Sequence, residues 1–147
     1  MAEPKISVVI PVYNGLPYVQ RTIESVLAQD YRAHEVIVIN DGSTDGIEEE
    51  LNRYKDKIIL KTINNSGAAV ARNTGIHSAV GDYIALLDAD DVWFKNKLKK
   101  IAESIIRNPE VGFICSNYVV RHAEFGRRLR KQFRFNQDSN ILILTRH

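Results

Sequence analysis

The sequence predicts an α/β fold, with a mostly parallel sheet and helices on both of its faces. Apolar, β-branched runs recur along the chain, and segments with helical spacing lie between them. Strand and helix alternate without a long linker, which is the pattern of a parallel sheet covered by helices. The 147 residues, 44% of them hydrophobic and 26% charged, are enough for one domain with a core.

Five apolar runs are predicted as strands, and the first two are rich enough in valine and isoleucine to be buried on both faces. The predicted strands are residues 6–12, 36–39, 58–63, 83–87 and 111–115. The fourth run is also predicted to be a buried strand. After residue 118 the pattern weakens to a hairpin around Gly126 and a short strand near the end.

Two segments repeat apolar residues at the spacing of one helical face. The first has Val19, Ile23, Val26 and Leu27, and the second has Leu98, Ile101, Ala102 and Ile105. Weaker helical segments are predicted after Asp45 and over residues 68–79. The predicted order is therefore strand and helix in alternation up to the fifth strand.

Composition limits the compartment and the partners. The single cysteine, Cys115, excludes an intramolecular disulfide and is expected to be buried, which fits a reducing, cytoplasmic compartment. The chain lacks a signal-peptide-like start and any apolar run near the ~20 residues that span a bilayer. From residue 117 onward seven basic residues oppose two acids. This basic tail either meets phosphates, nucleic acid or an anionic membrane, or is a solvated face or a partly disordered end.

Three carboxylates, Asp88, Asp90 and Asp91, directly follow the fourth predicted strand. Open α/β sheets bind their ligands at the carboxyl ends of the strands. Carboxylates this close repel one another unless a cation neutralises them, and Mg²⁺ is usually shared between one or two carboxylates and substrate phosphates. The motif predicts a metal-assisted phosphate or diphosphate site, and the alternative is an acidic loop that caps the next helix.

The loops after the first three strands also carry side chains suited to a ligand. Tyr13 offers a ring on which a base can stack, and Asp41 can accept a hydrogen bond from a base or a ribose. Arg72 can pair with a phosphate or with one of the aspartates. Taken singly, each has a structural alternative: a packed tyrosine, a capped turn and a surface salt bridge. Together, at the strand ends of one sheet, they predict a crevice for a nucleoside diphosphate.

Four ordered segments resemble the successive motifs of family 2 glycosyltransferases: ISVVIPVYNG, VIVINDGSTDG, NNSGAAVARNTGI and YIALLDADDVW. The resemblance covers residues 5–118 and implies the GT-A fold, a nucleotide-activated sugar as donor, commonly UDP-linked, and Mn²⁺ or Mg²⁺ as cofactor. It further implies that Pro11, Val12 and Tyr13 contact the base. Asp41 would bind the base, and Arg72 would lie beside the nucleotide.

The same resemblance assigns the acidic segment to the DXD motif of the family. Asp88, Ala89 and Asp90 would form the motif, with Asp88 near the ribose or the sugar and Asp90 on the metal. Asp91 would be an outer or alternative ligand of the metal. Other acidic-site proteins fit less well, because a dehalogenase-like phosphatase needs threonine where Val92 stands, and a dinucleotide-binding domain needs GXGXXG after the first strand.

The implied reaction is inverting transfer of hexosyltransferase type, in which an acceptor hydroxyl attacks the anomeric carbon while the diphosphate departs. The metal acts as a Lewis acid and a general base takes the acceptor proton. No catalytic residue is identified, because the later acids, Glu103, Glu110, Glu124 and Asp138, lack the ED-like context of the family's base. That base is expected beyond the chain end. The alternative function is a nucleotide-sugar-binding module without transfer activity.

The resemblance also predicts organisation and partners. Residues 1–118 would form the donor-binding half, and residues 119–147 the incomplete start of the acceptor-binding half. The expected acceptor is a sugar or a lipid-linked sugar. The expected product is a cell-surface polysaccharide or glycolipid, and the protein is expected to contact the inner face of the membrane. Nucleic acid is not an expected partner. Self-association into a homo-oligomer is predicted, because an unfinished half exposes apolar surface.

Overall fold

A computed structural model describes residues 3–116, 119–121, 128–130 and 141–145. The chain divides into two compact units, Met1–Ile106 and Arg107–His147. The functional division expected between residues 118 and 119 stays a prediction. Each unit is described by itself below.

The first unit is built on a four-stranded parallel sheet in the order β3–β2–β1–β4. Its strands are β1 (Ile6–Val12), β2 (Glu35–Asn40), β3 (Ile59–Thr62) and β4 (Tyr83–Leu86). β1 lies between β2 and β4, so that Val9 is opposite both Ile37 and Leu86. The α/β class with a parallel sheet is confirmed. Because all four strands run the same way, the loops after them leave one edge of the sheet.

Four helices accompany this sheet. They are α1 (Leu16–Leu27), α2 (Ile47–Asn52), α3 (Ala68–Ser78) and α4 (Lys97–Arg107). The predicted apolar faces are confirmed at Val19, Ile23, Val26, Leu98, Ala102 and Ile105, which are all buried. Ile101 is half-buried. Leu27 is 39% exposed because it is the last residue of α1 and lies at the margin of the buried face.

The core is centred on β1. Val8 and Val9 point to opposite faces of the sheet, and both are fully buried. α3 approaches β1 so closely that a Cβ added at Gly75 would overlap the side chain of Val9. A glycine at this position is therefore what allows the helix to pack directly on the central strand. Both faces of the central strand are covered, as the continuous apolar sequence predicts.

β4 is less buried than its apolar sequence predicts. Ala85 is 9% exposed, but Ile84 and Leu86 are 40% and 47% exposed. β4 pairs with β1 and lies at the edge of the four-stranded sheet. The prediction of a buried strand is wrong at Ile84 and Leu86, because these two side chains lie on the face of β4 opposite to Ala85, and that face is only partly covered within the described residues.

The second unit contains two antiparallel strand pairs. They are β5 (Val111–Ser116) with β8 (Ile141–Thr145), and β6 (Val119–Arg121) with β7 (Arg128–Arg130). The predicted hairpin corresponds to the pairing of β6 with β7, although its expected centre, Gly126, lies outside the described residues. The predicted last strand corresponds to β8.

Cys115 lies in β5 and is partly exposed rather than buried, because β5 belongs to a two-stranded sheet. Within the ranges that the structure describes, no helix is long and apolar enough to cross a membrane. Four residues of the predicted basic tail, Arg127, Lys131, Arg134 and Arg146, lie outside those ranges.

Candidate functional site

An open cleft of about 420 Å³ lies where the loops leave the strands of the first unit. Eight of the predicted site residues line it, namely Pro11, Val12, Tyr13, Asp41, Arg72, Asp88, Ala89 and Asp90. The ninth, Asp91, is not part of the lining. The parallel sheet thus brings together residues that are up to 79 positions apart in the chain.

The loop after β1 is fixed by hydrogen bonds to the loop after β2. The backbone N–H of Asn14 donates to Ser43 Oγ at 3.0 Å, and Asn14 Oδ1 accepts from the Thr44 N–H at 2.8 Å. The N–H of Leu16, the first residue of α1, donates to Asp45 Oδ2 at 2.8 Å. These bonds hold the neighbouring Tyr13 at the cleft with half of its surface exposed. The ring face is therefore available for stacking.

Asp41 is a buried carboxylate with a structural task. It is 2% exposed, and its Oδ1 and Oδ2 accept the N–H groups of Ser66 and Gly67 at 2.7 and 2.8 Å. Gly67 is the N-cap of α3, so a negative charge here also favours the helix dipole. A carboxylate has about four acceptor sites, and these two bonds leave room for a donor from a ligand. The structural and the ligand-binding interpretations of Asp41 are compatible.

Arg72 and Asp88, which both line the cleft, form an ion pair. The Nη2 of Arg72 lies 2.6 Å from Asp88 Oδ1, and the two side chains are 35% and 52% exposed. An aspartate is one of the two partners that the sequence predicts for Arg72, and the other is a phosphate. A pair this exposed contributes about 0–1 kcal/mol to folding. The guanidinium of Arg72 has further N–H donors that are available to a ligand phosphate.

The acidic loop, residues 88–96 between β4 and α4, carries carboxylates that repel one another. Burial raises the pKa of Asp91, and the charges of Asp90 and Asp88 raise it further. Across the described parts of the chain, no three histidine, cysteine or acidic side chains converge on one point. The residues fit a hard divalent cation that takes one or two carboxylates from the protein and its other ligands from a diphosphate.

Sequence reasoning missed further residues of the cleft. Tyr18, in the first turn of α1, lines it and is 52% exposed. Asn65 and the small residues Gly67, Ala68 and Ala71 also belong to the lining. In the sequence Tyr18 stands directly before Val19, the first residue of the predicted apolar face of α1. An aromatic residue next to that face, rather than on it, was the signal that could have identified Tyr18.

The family model described as Glycosyl transferase family 2 matches residues 7–146. TuaG of Bacillus subtilis, whose name assigns it to teichuronic acid biosynthesis, is 43% identical over 105 residues, which are 69% of this chain and 42% of TuaG. An uncharacterized glycosyltransferase of Rickettsia bellii is 40% identical over 129 residues, which are 86% of this chain and 18% of the relative. The chain thus spans less than half the length of these relatives.

Solved structures agree with these relatives. TarS of S. aureus (residues 1–349), in complex with UDP-GlcNAc, superposes with a TM-score of 0.65 and 32% identity, over 71% of this chain and 32% of TarS 1–349. Mannosyltransferase PcManGT from Pyrobaculum calidifontis, in complex with GDP-Man and Mn²⁺, superposes with a TM-score of 0.68 and 27% identity, over 80% of this chain and 36% of PcManGT. The fold is of the GT-A type.

Proposed function

Since the chain belongs to glycosyl transferase family 2, we propose that its cleft binds a nucleoside-diphosphate sugar, with UDP as the nucleotide. The observation that carries the proposal is the convergence of a tyrosine ring, a buried carboxylate, an arginine and two further aspartates in one cleft. The chain spans less than half the length of its relatives. Transfer of the sugar to an acceptor is therefore also part of the proposal.

The base would bind between Tyr13 and Asp41. The exposed ring of Tyr13 offers a stacking face, and Pro11 and Val12 line the cleft beside it. An ionised carboxylate can only accept hydrogen bonds, so Asp41 fits a base edge that carries an N–H donor, as uracil and guanine do. The TarS neighbour binds UDP-GlcNAc and PcManGT binds GDP-Man, which supports a base of this kind.

The diphosphate would bind between Arg72 and the acidic loop. Arg72 offers charged donors to phosphate oxygens, and Asp88 and Asp90 line the cleft with it. A divalent cation, Mn²⁺ or Mg²⁺, would be held by Asp90 with Asp88, and would supply charge neutralisation for the departing diphosphate. The Mn²⁺ in the PcManGT complex supports this cofactor class. Asp91 would act from outside the cleft lining, through the charge it adds to the loop.

The reaction would be an inverting transfer in which an acceptor hydroxyl attacks the anomeric carbon from the side opposite the diphosphate. Such a step needs a general base near the acceptor hydroxyl. Apart from Asp41, Asp88 and Asp90, no acidic residue of the described chain lines the cleft, so no base is assigned to this chain. The name of TuaG supports a sugar acceptor in a cell-surface polymer. Assembly of such a polymer would place the protein in the cytoplasm at the inner membrane face.

A second function is favoured by the same lack of an assigned base. The chain would then be a nucleotide-sugar-binding module without transfer activity. Both functions require the donor to bind, and only the first requires product. Incubation of the chain with UDP-sugars and saccharide acceptors, followed by mass spectrometry of the products, separates them.

Calorimetric titration of UDP, with and without Mn²⁺, tests the proposed donor site. We expect UDP to bind in Mn²⁺ and to bind more weakly after chelation of the metal. Tyr13→Ala should weaken binding by about tenfold, because stacking on an aromatic ring contributes ~1–3 kcal/mol per base. Tyr54→Ala is the matched control, because Tyr54 follows α2 in the chain and does not line the cleft. Equal binding of UDP by wild type and Tyr13→Ala would contradict the assignment of the base site.

A further inference from the structure

Three polar residues in and just after α1 hold the acidic loop. Thr22 and Ser25 lie three positions apart in α1, and Gln29 follows two residues after the helix ends at Leu27. Together they are called the α1 clamp. Each of them makes a hydrogen bond to the backbone of the acidic loop or to the start of α4.

Thr22 makes the bonds nearest to the cleft. Its Oγ1 lies 2.7 Å from the carbonyl oxygen of Ala89 and 2.8 Å from that of Asp91, and the residue is fully buried. These two carbonyls belong to the residues immediately before and after Asp90. The hydroxyl has one hydrogen, so its donation is shared between these two carbonyls, which lie on either side of the aspartate that lines the cleft.

The other two clamp residues hold the rest of the loop. Ser25 Oγ accepts the N–H of Trp93 at 3.2 Å. Gln29 Nε2 donates to the carbonyl of Phe94 at 2.9 Å, and its Oε1 accepts the N–H of Leu98 at 2.9 Å. Gln29 thus bonds both the end of the loop and the first turn of α4.

The clamp opposes a force that is built into the loop. Three carboxylates, those of Asp88, Asp90 and Asp91, stand on a stretch of four residues and repel one another. Without neutralisation, this repulsion favours conformations in which the carboxylates move apart. The bonds from Thr22 act on the backbone and are independent of any ligand, so they hold Asp90 in place before a ligand arrives.

We propose that Thr22 is the positioning residue for Asp90, so that α1 keeps the acidic wall of the cleft assembled for the cation and the diphosphate. The proposal rests on the proposed function, in which Asp90 binds the metal. Thr22 does not line the cleft. Its effect is carried by the carbonyls of Ala89 and Asp91.

The test compares three variants of the full chain. Thr22→Val keeps the shape of the side chain and removes its hydroxyl, while Thr22→Ser keeps the hydroxyl. Thr74→Val is the matched control, because Thr74 Oγ1 donates only within α3, to the carbonyl of Val70 at 2.9 Å. UDP is titrated in Mn²⁺, and amide hydrogen exchange is measured over residues 88–96 without ligand.

We expect Thr22→Val to weaken UDP binding by about tenfold or more, as loss of an outer-shell partner does in metal sites. Exchange over residues 88–96 should rise, while Thr22→Ser and Thr74→Val behave like wild type. Unchanged UDP affinity in Thr22→Val would overturn the proposal. If Thr22→Val does not fold, Ser25→Ala removes the next bond of the clamp and should still raise exchange over the loop.

Failure of the proposed function gives a different result. The wild-type chain would then bind no UDP in the presence of Mn²⁺, and UDP binding by Thr22→Val could not be compared with it. The clamp would still be judged by hydrogen exchange, which needs no ligand. The proposal would be overturned if amide hydrogen exchange over residues 88–96 were the same in Thr22→Val as in wild type. Where Thr22→Val does not fold, the same comparison is made with Ser25→Ala.

Discussion

The two ends of the cleft hold their carboxylates in opposite ways. One end, where the nucleobase is proposed to bind, is called the base end, and the end with the acidic loop is called the acidic end. At the base end Asp41 is 2% exposed, and both of its oxygens accept backbone N–H groups. At the acidic end the Asp88 side chain is 52% exposed, and its ion pair with Arg72 spans two flexible side chains. The base end is therefore preformed by the fold. The acidic end is held by the hydrogen bonds of the α1 clamp, and under the proposed function its ligands would complete it.

The largest expected effect is on ligand binding at the acidic end. Asp90→Asn removes a charged oxygen ligand from the cleft, and we expect Mn²⁺-dependent UDP binding to weaken by about 100-fold. The thermal midpoint of the ligand-free chain should not fall, because the change relieves repulsion in the loop. Calorimetry and thermal melting check the two parts. Asp56→Asn, in the turn after α2, is the control, and an equal loss of UDP binding there would contradict the assignment of the metal to Asp90.

The base end should respond in the opposite sense, through stability. Asp41→Asn replaces one buried acceptor by an NH₂ group that faces a backbone N–H. We expect the free energy of unfolding to fall by about 1–3 kcal/mol, the cost of an unsatisfied buried group. Urea denaturation of Asp41→Asn and Asp88→Asn checks the contrast. A larger loss of stability in Asp88→Asn would reverse the comparison between the two ends.

Arg72 should show a smaller effect, and on binding rather than on folding. Arg72→Ala breaks an exposed ion pair, so stability should change by less than about 1 kcal/mol. UDP binding should weaken by about tenfold, the loss of one charge-assisted contact, and the difference from wild type should shrink as salt is added. Titrations at low and high ionic strength measure this. A loss of affinity that is independent of salt would mean that Arg72 acts through packing.

Much of this comparison could be predicted from the sequence. The strands and helices follow from local periodicity, and the four loops follow from the parallel sheet, which places strand ends together. The exposure of Ile84 and Leu86 could not be predicted, because strand order depends on pairing across the chain. The α1 clamp was missed for a similar reason. Thr22 is bonded to residues 67 and 69 positions away, and a polar stripe on a helix is otherwise typical of a solvated face.

The smallest effect on stability is expected at the amino ends of the strands, away from the cleft. There Glu35 Oε1 accepts hydrogen bonds from Ser7 Oγ and the Val80 N–H at 2.6 and 2.7 Å. Burial raises the pKa of Glu35, but the bonds from Ser7, Val80 and Gly81, with the charge of His34, outweigh it and leave this pKa lowered. The stabilisation is present above the usual value of 4.5 and is lost as pH falls through the folded-state pKa.

Glu35→Gln should therefore lower stability by less than about 1 kcal/mol at neutral pH, and the gap to wild type should close in acid. Thermal melting between neutral and acidic pH measures the gap. UDP affinity should be unchanged, because Glu35 does not line the cleft. A gap that widens in acid would contradict the sign of the shift.

The most direct test of the contrast between the two ends is Mn²⁺ binding followed by electron paramagnetic resonance, with and without UDP. One or two protein carboxylates bind Mn²⁺ weakly alone, and the diphosphate supplies the missing ligands. We predict that UDP tightens Mn²⁺ binding by at least about tenfold, and that Mn²⁺ tightens UDP binding by the same factor. Mn²⁺ binding that is equally tight without UDP would contradict an acidic end that its ligands complete.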